Sequence, residues 1–527
     1  MIDVQALLAA LPARIDAIPR AAAARTPHAP ALIEGNAEDG RTLSYAALVG
    51  EIDRYAALLR GRGVRPGDRV LLVSENCGAQ VALIFAASTV GAWIVNLNPR
   101  LSAPEIDAIQ LHCGARLALY TAAVSPEAAA HAARAGAQAD GELMIGALND
   151  TCTPEAEDGD PAAGAPAAGD PAAGDPVAAL VYTTGTTGQP KGVMLSHRNL
   201  LFVAAVSSRL RGLVPQDRAW GVLPISHVYG LTSVLLGTLS AGACLQLAPR
   251  FTQEAMLRAI RDDGLTIVQG VPAMYARLLE QAGNARLPSR LRFAYAGGAP
   301  LDPDLKRRVE ALLGVPLHNG YGLSEAAPTV SQTRLDAPRA DTAVGHPIPG
   351  VDVRIVDQAG RDLADGEAGE LWVRGPNVMR GYYREPLLTE AALRPGGWLN
   401  TGDMARREGD GNGDGALFIV GRTKELIIRS GFNVFPLEVE TVLNAHPGVT
   451  QSAVVGKTVA DGNEEVVAFV QPLGQHAPTV DALQAWAAER LAPYKRPGRI
   501  VLMKALPAAA TGKILKHALK EIASTLA

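Results

Sequence analysis

Apolar residues recur at helical spacing over 46–60 and again over 79–90. Between these stretches lies a short continuous apolar run, 69–73, which follows a Pro66-Gly67 turn. A five-residue run without polar alternation predicts a strand buried on both faces. Helix-like and strand-like stretches alternate in this way over 42–150, which predicts an α/β domain with buried, largely parallel strands. Near the start, Val4, Leu7, Leu8 and Leu11 fit one helical face. Residues 177–182 predict another buried strand, followed by a Gly/Thr-rich loop and a helix from about 196 to 208. The alternation then continues to about 335. Over 342–420 the texture changes: short β-rich pieces at 351–356, 370–374 and 416–420 are separated by Gly and Pro, predicting antiparallel strands or a small barrel. Residues 425–527 read as a separate α+β unit with helices at 437–444 and 480–491 and strands at 451–455 and 466–471.

One segment breaks the pattern. Gly159-Asp-Pro-Ala-Ala-Gly164 recurs at 169–174 within an Ala/Gly/Pro/Asp stretch over 154–176. Such a composition cannot supply a core. Because a strand-like run follows at once, the stretch reads as a surface insertion within one domain, and no function is assigned to it.

Composition narrows the classes. The chain has 527 residues, 49 basic and 53 acidic, for a net charge of −4. That balance argues against a protein working by bulk attraction to nucleic acid or anionic membrane. Four cysteines without a CxxC pair exclude a disulfide scaffold and a structural zinc ribbon. No run of 18 apolar residues predicts a spanning helix, and the N-terminus lacks a signal-peptide pattern. A reduced, cytoplasmic setting is the expectation.

Five segments carry candidate chemistry. Tyr182-Thr-Thr-Gly-Thr-Thr-Gly-Gln-Pro-Lys-Gly192 reads as a strand end, a Gly/Thr loop with Lys191, and then a helix. Glycines admit backbone N–H groups to an anion, hydroxyls add donors and Lys191 adds charge. It is not a Walker A loop: Pro190 stands where Gly is needed, and no Ser or Thr follows Lys191. Asn319-Gly-Tyr-Gly-Leu-Ser-Glu325 offers an aromatic face, a hydroxyl and a hard carboxylate suited to Mg²⁺. It misses both the GxGxxG and GxSxG patterns, so alone it reads equally well as a polar loop. Gly397-Trp-Leu-Asn-Thr-Gly-Asp403 places a carboxylate after a Gly turn. The run from Gly421 to Val434 lies where the texture shifts and is a candidate hinge. Ala509-Ala-Thr-Gly-Lys513 puts a lysine on a late loop, where a single lysine is ordinarily just solvated. A sixth segment, Asp410-Gly-Asn-Gly-Asp-Gly415, starts like a calcium loop but has Gly421 where Glu is required, and reads as a hairpin turn.

In order and spacing these segments resemble the adenylate-forming superfamily, most closely its AMP-dependent acyl-CoA synthetases and coumarate–CoA ligases. The resemblance covers nearly the whole chain. It implies an α/β fold with a large N-terminal domain (1–420) of two doubly wound subdomains plus a small β-barrel, a hinge at 421–424, and a mobile α+β C-terminal domain (425–527). It implies an enzyme using ATP, Mg²⁺ and CoA: a carboxylate attacks the α-phosphate to give acyl-AMP, and a thiol then displaces AMP. By resemblance, Thr183, Thr184, Gly185, Thr186, Thr187 and Lys191 hold the pyrophosphate end. Gly298 and Ala299 line the adenine pocket with Asn319, Gly320 and Tyr321. Ser324 contacts the α-phosphate and Glu325 binds Mg²⁺. Asp403 and Arg422 bind ribose. Lys513 bridges carboxylate and α-phosphate, an electrostatic role. Lys424 is the hinge residue. His227, Tyr229 and Ser233 border the acyl pocket, and Arg250, Ser430 and Gly431 serve CoA. For His227 a purely structural role stays open.

The chain departs from the pattern at Ile428 and Ser430, where some relatives carry Lys, so its CoA contacts are less fully specified than its ATP contacts. The expected substrate is an apolar carboxylic acid, either a medium- or long-chain fatty acid or an aryl acid. The mostly apolar stretch 228–236 has no Asp for an amino group. A stand-alone acyl-AMP ligase loading a carrier protein is the alternative, disfavoured because no insertion follows the hinge motif. Luciferase-like oxidation has no support in these residues. A dead nucleotide-binding module would lack Lys191, Glu325 or Lys513, and all three are present. A homodimer is left open by the resemblance.

Overall fold

The computed structural model describes residues 2–35, 38, 40–141, 143–146, 175–184, 190–282, 286–408, 415–429, 432–459, 463–473, 477–508 and 514–526. The Gly/Asp/Pro/Ala repeat, the calcium-loop-like turn at 410–414, and Gly185, Thr186, Thr187, Ser430, Gly431 and Lys513 lie outside these residues, as does the side chain of Thr184.

Two large sheets form the N-terminal part. The first has nine strands among the described residues, six of them (Leu317–Gly322, Phe293–Ala296, Ile267–Gly270, Arg218–Gly221, Cys244–Leu247 and Pro30–Glu34) running parallel. Antiparallel strands close both of its edges. The second has eight strands around a parallel centre of Leu117–Tyr120, Arg69–Val73, Trp93–Leu97 and Val177–Thr184. Helices bury these strands, which is why Arg69–Val73 is buried at every position and reads as an unbroken apolar run. Its one polar member, Arg69, is kept inside by donating to the carbonyls of Gly67 and Cys113. The helix Gly78–Val90 is buried almost all round. The Cys77 thiol caps it by accepting from Gln80 N–H, and Gly91 ends it at φ 78°, a left-handed turn that suits glycine.

A five-stranded antiparallel sheet occupies the β-rich stretch, with Ala368–Arg374 and Trp398–Arg407 at its centre and Asp352–Val356 at one edge. The strand Leu417–Arg422 pairs onto it, setting Asp403 opposite Arg422 and Met404 opposite Gly421. Gly421 and Arg422 therefore belong to this sheet rather than to a free hinge, and the connection proper is the short turn Thr423–Glu425. The C-terminal unit packs a three-stranded sheet against helices Pro436–Asn444, Val480–Arg490 and Lys516–Thr525, with its own apolar cores. No helix among the described residues is long and apolar enough to cross a membrane.

Candidate active site

The Gly/Thr segment is not a strand–loop–helix. Val177–Thr184 and Pro190–Ser196 form an antiparallel hairpin, with Thr183 opposite Lys191 and Tyr182 opposite Gly192. Lys191 thus projects from a strand. The helix begins only at His197, where Ser196 and Asn199 cap it reciprocally: Asn199 N–H donates to Ser196 Oγ at 3.1 Å, and Ser196 N–H donates to Asn199 Oδ1 at 2.9 Å.

Asn199 also reaches across the molecule. Its Nδ2 donates to the carbonyls of Pro376 and Val378 at 2.8 and 2.9 Å. That grip docks the short strand Gly381–Tyr382 onto Pro190–Ser196, with Tyr382 opposite Val193. Tyr382 then meets two of the motif residues. Its ring centroid lies 5.4 Å from Lys191 Nζ, and its hydroxyl donates to Glu325 Oε1 at 2.8 Å. Burial, together with the Glu325 charge, pushes the Tyr382 hydroxyl far up, so it stays a donor. Met379 N–H also donates to the Glu325 carbonyl. No group of three or more His, Cys, Asp or Glu side chains that could hold a metal exists among the described residues. A cation at half-buried Glu325 would accordingly take one protein carboxylate, with phosphate and water oxygens as its other ligands, a donor set that suits Mg²⁺.

Tyr321, Asp403 and Arg422 form the second cluster. Asp403 lies inside the strand Trp398–Arg407, directly after Gly402, whose φ of 68° kinks the strand, while Gly396 and Gly397 make the turn before the strand begins. Its Oδ2 accepts from the Tyr321 hydroxyl, and its Oδ1 lies 3.1 Å from Arg422 Nε. Its N–H donates to Thr401 Oγ1. Burial and the Asp403 charge hold the Tyr321 phenol protonated. Two donors from separate strands therefore fix one carboxylate, leaving an arrangement able to grip a vicinal diol.

The neighbouring motif residues are closely packed. Asn319 spends its amide on the Thr342 and Ala343 carbonyls and its Oδ1 on Gly320 N–H. At Gly320 a Cβ would come within 2.6 Å of the Tyr295 hydroxyl, so the backbone there needs glycine. Ser324 is buried in a short turn with Glu325. Gly298, at φ 79°, and Ala299 form an exposed turn after Phe293–Ala296.

Around the residues expected to border the acyl pocket, Tyr229–Leu236 is a fully buried π-helical turn, a form often found at functional sites. Half-buried His227 accepts Tyr229 N–H at its Nδ1, 3.2 Å away. Ser233 and Thr329 hydroxyls lie 3.3 Å apart. Tyr229 lies over Gly297, where a Cβ would sit 3.1 Å from its ring. Burial pushes its hydroxyl up to about 12, with Arg211 pulling the other way.

Arg250 lies apart from these groups, beside Glu75 at 3.1 Å and Glu127. Lys424 is exposed on the connecting turn. The turn is fastened on both sides. Thr423 Oγ1 contacts Glu370 Oε1 at 3.4 Å, while half-buried Lys516 lies 2.9 Å from Glu425 and 2.8 Å from Glu440. Tyr382, Glu75 and Lys516 escaped sequence reasoning, because only long-range pairing gives them their partners and no local spacing marks them.

Two family models match the chain: the AMP-binding enzyme over residues 19–383 and the AMP-binding enzyme C-terminal domain over residues 438–513. The chain is 37% identical over 498 residues to a feruloyl-CoA synthase from Amycolatopsis sp, covering 93% of this chain and 95% of that one. It is 34% identical over 526 residues to a 4-coumarate–CoA ligase 2 from Oryza sativa subsp. japonica, covering 95% and 90%. The fold is similar to that of an O-succinylbenzoate coenzyme A synthetase from Bacillus subtilis solved with ATP and magnesium ion, at TM-score 0.78 and 28% identity, covering 95% of this chain and 99% of that one.

Proposed function

The chain belongs to the family of AMP-binding enzymes, and from that premise we propose that it activates an aryl carboxylic acid. It is an AMP-forming acid–CoA ligase that uses ATP, Mg²⁺ and CoA. The aryl reading is supported by the aromatic acids for which its feruloyl and coumarate relatives are named. It is also supported by the Tyr229 ring lying flush on Gly297 beside a wholly buried, mostly apolar turn. The mostly apolar wall favours an aryl body over a charged one.

The observation that carries the nucleotide assignment is the Tyr321–Asp403–Arg422 cluster. Asp403 accepts the ribose hydroxyls, held in place by Tyr321 and Arg422. Lys191 and the Thr183 end of the hairpin bind the pyrophosphate, with Thr184, Gly185, Thr186 and Thr187 completing the loop. Glu325, oriented by Tyr382, holds Mg²⁺, which when bound neutralises phosphate charge. Ser324 faces the α-phosphate, and Gly298, Ala299, Asn319, Gly320 and Tyr321 border adenine. Lys513 stabilises charge developing between the acid and the α-phosphate. Rotation about Lys424 then exchanges Lys513 for Ser430 and Gly431, so that CoA, anchored through Arg250, enters past His227. Net charge −4 and three buried free cysteines, Cys77, Cys113 and Cys244, support a cytoplasmic setting without a nucleic-acid partner.

The test is pyrophosphate release with ATP and Mg²⁺ across fatty acids, benzoates and cinnamates, each with and without CoA. CoA-dependent turnover peaking on an aryl acid is expected. A peak on long-chain fatty acids would overturn the aryl assignment. A single burst without CoA-dependent turnover would favour transfer to a carrier protein instead.

A further inference from the structure

Beside the turn Tyr229–Leu236 the large sheet holds a buried positive charge with no negative partner among the described residues. Arg211, at the end of the helix His197–Leu210, is 2% exposed. Its Nη1 donates to Gln269 Oε1 at 2.6 Å, and its guanidinium lies 4.4 Å from the Tyr295 ring centroid. No carboxylate among the described residues pairs with it, and its Nε has no hydrogen-bond partner. Gln269 Nε2 has none either. A buried guanidinium with unmade bonds is strongly unfavourable unless something completes it.

Strand register places these groups beside the acyl turn. Gln269 and Tyr295 are direct partners in the parallel ladder. Gly297 follows the last residue of the strand Phe293–Ala296, its N–H still donating to the Gly270 carbonyl, and so lies on the same side as Tyr295, two residues earlier. Arg211 covers Tyr295, and Tyr229 covers Gly297. The Tyr229 hydroxyl is a third buried group there without a hydrogen-bond partner among the described residues. The backbone positions that these groups occupy or cover lie within about one step along the strand and one across it, roughly 7 Å by 5 Å.

We propose that Arg211 and Gln269 form a specificity subsite for an oxygen acceptor at the end of the acid distal to its reacting carboxylate. The inference rests on the aryl acid–CoA ligase reading and sharpens it. A phenolic oxygen or a second carboxylate accepts from Arg211 Nε and Gln269 Nε2, and an unsubstituted ring leaves both donors unmet. Sites built to bond a substrate oxygen reject the analogue that lacks it far more strongly than apolar pockets reject a missing methylene.

The experiment compares kcat/KM of CoA-dependent pyrophosphate release for cinnamate, 4-hydroxycinnamate and 4-carboxycinnamate in the wild type, Arg211→Met and Gln269→Met. One oxygen-bearing acid should exceed cinnamate by about tenfold or more in the wild type, and which of the two leads identifies the oxygen. The ratio should fall toward one in both variants. Gln269→Met conserves volume and reads the same ratio if Arg211→Met does not fold. A merely structural role would lower all three acids together, and an unchanged ratio in the variants would overturn the subsite. A wild type without preference would also overturn it, assigning the donors to buried water. Absence of release with every acid, fatty acids included, would instead sink the ligase reading itself.

Discussion

The Tyr382 hydroxyl donates to Glu325 Oε1 at 2.8 Å, while the same ring lies 5.4 Å from Lys191 Nζ. One side chain that no motif contains therefore joins the hairpin proposed to bind pyrophosphate to the carboxylate proposed to hold Mg²⁺. Tyr382→Phe keeps the ring and removes the donor. Its expected effect is a fall of about tenfold in kcat/KM for ATP, the worth of one hydrogen bond to a charged group. Transfer from preformed acyl-AMP to CoA should be unaffected. Pyrophosphate release and single-turnover transfer, measured side by side, check this, and equal losses in both would contradict the assignment.

Asp403 and Arg422 are cross-strand partners, and the arginine side chain is 45% exposed. Asp403→Asn retains an acceptor for Tyr321 but surrenders the charge. The KM for ATP should rise roughly 30- to 100-fold, the scale of a lost charge-assisted contact of about 2–3 kcal/mol. Stability should change little, because a half-exposed arginine recovers water. A large drop in Tm with an unchanged KM would mean that the pair serves only the fold.

Much of this was legible in the chain because buried strands announce themselves. The run 69–73 is the strand Arg69–Val73 without adjustment, and the helix 437–444 differs from Pro436–Asn444 by one residue. The strand Pro190–Ser196 was not legible. Only Val193, Met194 and Leu195 mark it, and its first residues belong to a motif that reads as loop. The resemblance assigns both Asp403 and Arg422 to ribose, but their pairing comes from a direct register between two strands, which is tertiary. Tyr382 and Arg211 carry no local signal at all: each matters through partners far along the chain.

Lys516 sits between Glu425 on the connecting turn and Glu440 in the C-terminal unit, and Glu440 also accepts Val454 N–H. Burial pulls the lysine down, yet the two carboxylates outweigh it and hold it raised. Lys516→Met would leave two carboxylates facing each other. A loss of about 3–5 kcal/mol is expected for the C-terminal unit, read by local hydrogen exchange. Lys516→Arg should recover most of it. Wild-type protection in Lys516→Met would remove this anchor from the hinge argument.

Tyr229 is buried, but its hydroxyl has no hydrogen-bond partner among the described residues. Removing an unsatisfied buried hydroxyl removes its desolvation cost, about 1–3 kcal/mol. Tyr229→Phe in the ligand-free enzyme should therefore be as stable as the wild type or more so, against the usual loss from core substitution. A denaturant midpoint shifted downward would show that the hydroxyl is satisfied in solution.

Two buried histidines tie stability to acid. His197 opens its helix and accepts Ile15 N–H at Nδ1. Burial, with Arg14 adding to it, depresses it from 6.5 to about 4. His318 stacks on Tyr295 and is depressed to about 4 by burial and then by Lys306. A depressed value means that the unfolded chain binds the proton more readily. The stabilisation from keeping these rings neutral is thus complete above 6.5 and is lost as pH falls from 6.5 toward 4. Each ring contributes a slope of about 1.4 kcal/mol per pH unit in that window. Carboxylates add their own slope at the acid end, but it is common to wild type and variant and cancels in the difference. Unfolding free energies for wild type and His197→Gln at pH 4.5, 5.5, 6.5 and 7.5 should therefore converge as the pH falls, by about one histidine's slope. Parallel curves would place the His197 proton equilibrium at its unfolded value and remove burial as its cause.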